Sequence, residues 1–146
     1  MEKVKLLLDE KGRDVYTVRP DATVRELANL MNEKRVGAVL IQDQGNPQGI
    51  VSERDLVTRV LLAGKNPDTT RAEEVMTRDL VVVTPSTPIR EAMAVMTERR
   101  CRHLPVLEEG QLAGIVTIGD TTRWDSRDQD FKIRKLQDYV TRKYPG

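Results

Sequence analysis

Sliding the 146-residue chain over itself by 65 positions brings two halves into register without a gap. Pro20 falls on Pro85, Arg25-Glu26 on Arg90-Glu91, Met31 on Met96, Glu33 on Glu98 and Arg35 on Arg100. Further along, Gly45 falls on Gly110, Gly49-Ile50-Val51 on Gly114-Ile115-Val116, and Asp55 on Asp120. The period is too long and the copies too few for a solenoid. Two supersecondary units must therefore bury their apolar faces against each other.

Each copy reads in the same order. A strand, about Val15-Val18 and then Leu80-Val83, runs into a turn at Pro20 or Pro85. A helix follows, with apolar residues at helical spacing: Val24, Leu27, Ala28, Met31 in the first copy and Ile89, Ala92, Met93, Met96 in the second. Next come a buried strand (Ala38-Ile41; Leu104-Val106), a turn centred on Gly45 or Gly110, and a strand ending at Ser52 or Thr117, where another helix begins. The unit is β-α-β-β-α, repeated about a pseudo-two-fold axis, and the fold class is α/β in the layered, α+β sense. The boundaries expected are a lead-in helix over 1–13, one motif over 14–65, a linker over 66–78, a second motif over 79–125 and a C-terminal helix over 126–146. Val4, Leu7 and Leu8 make the lead-in amphipathic; Phe131, Ile133, Leu136, Val140 and Tyr144 do the same at the other end. Both are expected to pack on the module or across a dimer.

With 24 basic and 23 acidic side chains the net charge is +1, so gross charge favours neither nucleic acid nor an anionic membrane. The apolar runs fall far short of the ~20 residues a membrane helix needs. Cys101 is the single cysteine, which rules out an internal disulfide and fits a reducing, cytoplasmic setting. The N-terminus lacks the apolar region and cleavage site of a secretory signal.

The most informative pair of segments is Gly49-Ile50-Val51-Ser52-Glu53-Arg54-Asp55 and Gly114-Ile115-Val116-Thr117-Ile118-Gly119-Asp120. In each, a hydroxyl stands at a strand end and a carboxylate follows three residues later, on the first helical turn. A carboxylate accepts two hydrogen bonds at once and can hold both hydroxyls of a ribose, with Ser52 or Thr117 adding a third contact. The same spacing is that of a helix capping box, although the box prefers Glu or Gln where both copies have Asp. Spacing alone does not separate the two readings.

The doubled Gly-Ile-Val-Ser/Thr-x-x-Asp signature, Val75-Met76-Thr77 before the second copy and the stretch Arg99-Arg100-Cys101-Arg102-His103-Leu104-Pro105-Val106 together resemble the tandem CBS-domain family. The resemblance extends over nearly the whole chain. It implies a disc-like module, usually a homodimer, with two clefts that accept AMP, ADP, ATP or related adenosyl ligands such as NAD or S-adenosylmethionine. It assigns ribose to Asp55 with Ser52 in one cleft and to Asp120 with Thr117 in the other. Phosphate contacts fall to Arg102, His103 and Arg54. Arginine suits them because its guanidinium forks onto phosphate oxygens. Adenine needs an apolar slot, for which Thr17, Val36, Ala38, Val83, Thr84 and Cys101 lie in suitable segments. The copies differ where it matters: Gly37-Ala38-Val39-Leu40 stands opposite Arg102-His103-Leu104-Pro105, and Gly119 opposite Arg54, so asymmetric clefts are expected.

An enzyme would need a poised acid, base, nucleophile or metal. One His and one Cys, two residues apart on a strand, fall short of a Cys/His hydrolase and of a metal site. No phosphate-cradling glycine loop is present. The expectation is a regulatory module, with no catalytic residue, metal or catalytic cofactor, that acts on a dimer or on a further protein partner. A ligand-independent dimerisation scaffold is the alternative.

Overall fold

The computed structural model describes residues 1–143. In chain order the elements are helix α1 (Val4–Lys11), strand β1 (Thr17–Val18), α2 (Val24–Lys34), β2 (Ala38–Asp43), β3 (Asn46–Ser52) and α3 (Glu53–Asp55), which continues as a π-helical stretch over Leu56–Leu61. Then follow α4 (Ala72–Val75), α5 (Ile89–Arg99), β4 (His103–Glu108), β5 (Gln111–Thr117) and α6 (Ile118–Lys143). The doubled helix–hairpin–helix order read from the repeat is present. No helix among the described residues is long and apolar enough to cross a membrane.

In the first half β1 pairs in parallel with β2, and β2 pairs antiparallel with β3. The second half keeps the antiparallel hairpin β4–β5, but the strand expected over Leu80-Val83 does not form; one parallel bridge, Val83 to Val106, remains. The reason is a single residue. In the first half the Leu40 amide donates to the Tyr16 carbonyl at 3.1 Å. Its counterpart 65 residues on is Pro105, which has no N–H to give, so the ladder stops at Val83.

Two cores form, and neither is made from one repeat alone. Val24, Leu27, Met31, Val39, Ile41 and Val51 of the first motif enclose Ala72, Val75 and Met76 from the segment that leads into the second. Ile89, Ala92, Met96, Leu104, Val106 and Val116 of the second motif enclose Val4, Leu7 and Leu8 from the segment that leads into the first. Each lead-in therefore crosses to the opposite motif. Bridges Lys3–Pro88 and Thr23–Arg71 mark equivalent entry points. The C-terminal helix is continuous from Ile118 through Phe131, Ile133, Leu136 and Val140 to Lys143; Tyr144 lies outside the described residues.

The glycine of the repeated signature has its explanation here. A Cβ on Gly49 would lie 2.6 Å from Met76 Sδ and 2.8 Å from the Thr77 carbonyl oxygen, and one on Gly114 would lie 2.7 Å from Leu8 Cδ2. Both glycines are seats for the crossing lead-in. Leu8 can yield at the tip of a side chain, whereas the Thr77 carbonyl is backbone. Gly49→Ala is thus expected to cost about 1–3 kcal/mol and Gly114→Ala less, since overpacking strains a filled core. Urea denaturation of the two variants measures both losses, and a larger loss for Gly114→Ala would contradict the assignment.

Candidate functional site

Four chain segments meet around a cleft of ~740 Å³ between the motifs. The β3–α3 junction supplies Ser52, Glu53, Arg54 and Asp55, and the β5–α6 junction supplies Thr117 and Ile118. The turn after α5 adds residues 99–103, and the connector after α4 adds Thr77, Asp79, Leu80 and Val81. Two symmetric backbone bonds lock the frame: Glu53 N–H donates to the Gly37 carbonyl at 3.0 Å, and Ile118 N–H to the Arg102 carbonyl at 2.9 Å. Gly37 faces His103, so a Cβ there would stand 3.3 Å from His103 Nε2. The missing side chain in one copy makes room for the imidazole of the other.

Of the residues singled out from the sequence, Ser52, Asp55, Thr117, Arg54, Arg102, His103 and Cys101 line this cleft. Thr17, Val36, Ala38, Val83 and Thr84 do not. Val83 and Ala38 are buried, Thr84 is tied into the turn before α5 through Thr87, and Val36 lines a smaller depression of ~430 Å³ with Glu53 and Leu56. Leu80 and Val81 line the apolar side instead, in the segment that Pro105 keeps out of the sheet. Arg99 and Arg100 were also missed. The repeat carries a signal for Arg100, because Arg35 and Arg100 both end a helix with φ near +55° (56° and 54°), a conformation that non-glycine residues seldom adopt.

Both signature carboxylates form the capping box. Asp55 Oδ2 accepts from the Ser52 amide at 2.8 Å and the Ser52 hydroxyl at 3.1 Å, while Asp55 Oδ1 faces Arg59 Nε at 3.6 Å. Asp120 Oδ2 accepts from the Thr117 amide at 2.9 Å and from Lys11 Nζ at 2.7 Å, and Oδ1 accepts from Arg123 at 2.8 Å. The Asp55 side chain keeps 14% of its surface exposed and lies on the cleft wall; that of Asp120 keeps 6% and does not. Burial acting alone would raise the Asp120 pKa, but the Lys11 hydrogen bond, followed by the Thr117 amide, outweighs it and holds the carboxyl below its ordinary value. The Cys101 thiol is pushed up by burial, which leaves it a poor nucleophile. Among the described residues no group of three His, Cys, Asp or Glu side chains is placed to hold a metal.

The CBS-domain family model matches residues 11–62 and 72–126. The chain belongs to the CBS-domain family. Among curated relatives, the mitochondrial CBS-domain-containing protein CBSX3 of Arabidopsis thaliana is 32% identical over 125 residues, which are 82% of this chain and 61% of that protein. The chain thus spans about three fifths of that relative's length. A solved protein with CBS domains from Burkholderia ambifaria is 42% identical with a TM-score of 0.84, over 87% of this chain and 96% of that one. The CBS domain pair of MJ0100, solved with 5′-methylthioadenosine and S-adenosyl-L-methionine, shares the fold (TM-score 0.77, 22% identity, 88% and 98% covered).

His103 lies half-buried at the cleft, against Gly37 of the other motif. Burial lowers its pKa from the ordinary 6.5, helped by Lys11 and Arg102 and opposed by Glu53 and Asp120. Between the lowered value and 6.5 the unfolded chain binds more protons at this residue than the folded one, so the contribution of His103 to stability is full above pH 6.5 and falls as the pH drops through that window. Melting temperatures between pH 7.5 and 5.5 should fall more steeply for the wild type than for His103→Asn; parallel curves would show that the ring does not titrate differently on folding.

Proposed function

We propose that this chain is a regulatory module that binds an adenosyl ligand, AMP, ADP, ATP or a relative such as NAD or S-adenosylmethionine, in the cleft at Asp55. The observation that carries this reading is convergence. One carboxylate with an oxygen turned away from its cap, two hydroxyls (Ser52, Thr117), an apolar wall (Leu80, Val81) and the arginines Arg54, Arg99, Arg100 and Arg102 border the same ~740 Å³. Ribose hydroxyls donate to Asp55, the base lies on the apolar wall, and guanidinium groups take the phosphates. No side chain here is assigned a catalytic role. The MJ0100 pair shows that two CBS motifs with this fold can hold adenosyl compounds.

Such a ligand acts by binding one arrangement of a dimer or of a partner interface better than another. The second reading, a scaffold that dimerises without ligand, draws on three exposed apolar side chains, Val57 and Leu61 on the π-helical stretch after α3 and Leu62 at its C-cap, the last two exposed by 72% and 74%. Residues 57 and 61 share a face of that helix. A homodimer through it serves both readings. Light scattering at about 10–100 μM should report a dimer for the wild type and a monomer for Leu61→Glu/Leu62→Glu; an unchanged mass would move the interface elsewhere.

Asp55→Asn tests the ligand reading without removing the cap. An amide oxygen still accepts from the Ser52 amide, but the charge that receives two ribose hydroxyls is gone. AMP at a hundred times its dissociation constant stabilises the fold by about 2.7 kcal/mol, several degrees of melting temperature for a chain this long. The wild type should show that rise and Asp55→Asn should lose it, with ligand-free melting points within a few degrees. A rise that survives in Asp55→Asn sinks the ribose assignment.

A further inference from the structure

The two signature carboxylates stand at equivalent places in the repeat, yet different elements attend them. Asp120 is met by Lys11, the last residue of α1, whose ammonium lies 2.7 Å from Oδ2 and also donates to the Ile115 carbonyl at 3.0 Å. That ammonium is delivered by a fixed element. Val4, Leu7 and Leu8 of the same helix are at most 3% exposed, and the Gly12 amide closes its end on the Leu8 carbonyl at 2.8 Å. With the Thr117 amide on Oδ2 and Arg123 on Oδ1, both oxygens of Asp120 carry donors within 2.9 Å.

The lead-in that attends Asp55 is built differently. Helix α4 has four residues where α1 has eight, and after Val75 the chain leaves the helix and runs along the cleft wall as residues 77–81. No lysine reaches Asp55 among the described contacts, and the cation nearest to its Oδ1 is Arg59 at 3.6 Å. One extra helical turn therefore separates a carboxylate on an open cleft from one already occupied.

We infer that Lys11 is a built-in occupant of the second ribose position: it holds Asp120 in an internal ion pair, so that the module takes one adenosyl ligand per chain, and it sets that stoichiometry. This rests on the reading of Asp55 as a ribose site, because Asp120 is the duplicate of that site. A ribose hydroxyl arriving at Asp120 must displace a charge-assisted hydrogen bond and leave the ammonium with Ile115 alone. The loss of such a bond is worth roughly 10- to 150-fold in affinity. The second site is thus silent at ligand concentrations that fill the first. It opens when Lys11 is neutralised or drawn away.

Calorimetric titration of the full chain with AMP and, separately, with 5′-methylthioadenosine tests this directly. The wild type should bind one equivalent, Lys11→Met two, and Lys11→Arg one. Lys11→Gln is the second neutral variant should Lys11→Met fold poorly, and Asp55→Asn/Lys11→Met should keep a single equivalent at Asp120. Two equivalents in the wild type, or no gain in either neutral variant, overturns the assignment. A wild type that binds neither compound while Lys11→Met binds one would sustain Lys11 as the occupant and remove the Asp55 reading. Silence of both proteins would overturn both.

Discussion

Everything in this molecule depends on the crossing of the two lead-in segments. Leu8 seats against Gly114 and Met76 against Gly49, so each hydrophobic core is finished by residues that precede the other motif in the chain. A repeat of about fifty residues is marginal on its own because too little of its surface can be buried. Exchanging lead-ins makes the two halves one cooperative unit. It also fixes their relative position, since a motif cannot move without dragging the segment that enters its partner. The tie is repeated at a second pair of equivalent positions: Arg59 donates to the Val75 and Met76 carbonyls, and Trp124, 65 residues later, donates to Glu2.

From that symmetric frame the asymmetry of the clefts follows with few further differences. Pro105 withdraws one amide, the strand before α5 shrinks to a bridge, and Leu80 and Val81 become cleft wall in place of sheet. Gly37 gives up a side chain opposite Arg102, and His103 moves into the vacated space. Helix α1 outlasts α4 by a turn, and Lys11 reaches Asp120. Each of these is a local change at a duplicated position. None disturbs the cores, because the affected residues lie where the motifs meet rather than where the lead-ins seat.

The hairpins, the two long helices and the pairing of Asp55 with Asp120 are legible in the sequence because they lie inside the gapless 65-residue register. What escaped lies outside it or depends on a donor count. The lead-ins are related by a shift of 68, with Lys3 on Arg71 and Leu8 on Met76, so they drop out of the alignment that reveals the rest, and amphipathicity says that α1 packs without saying on which motif. Thr17, Ala38 and Val83 lie in segments suited to an adenine slot, but β2 is buried on both faces from Ala38 to Ile41, Val83 joins the second core, and Thr17 stands exposed away from the cleft. The loss of the second-copy strand was readable in principle, since a proline opposite Leu40 removes the one amide that the first copy uses there.

The capping box is formed in both copies, and the ribose clamp we propose would not compete with it for the same oxygen. A cap needs one carboxylate oxygen near the amide at the strand end, and in both copies Oδ2 does that work. The second oxygen is then a separate resource whose use depends on its neighbours. At Asp120 it meets only the 71%-exposed Arg123, a surface ion pair with which water and an incoming hydroxyl compete, while Lys11, held by a buried helix, fixes the carboxylate through the capping oxygen. At Asp55 it faces Arg59 across 3.6 Å, longer than a good hydrogen bond. The cap holds the Asp55 carboxylate in place, which would lower the ordering cost of the binding proposed there.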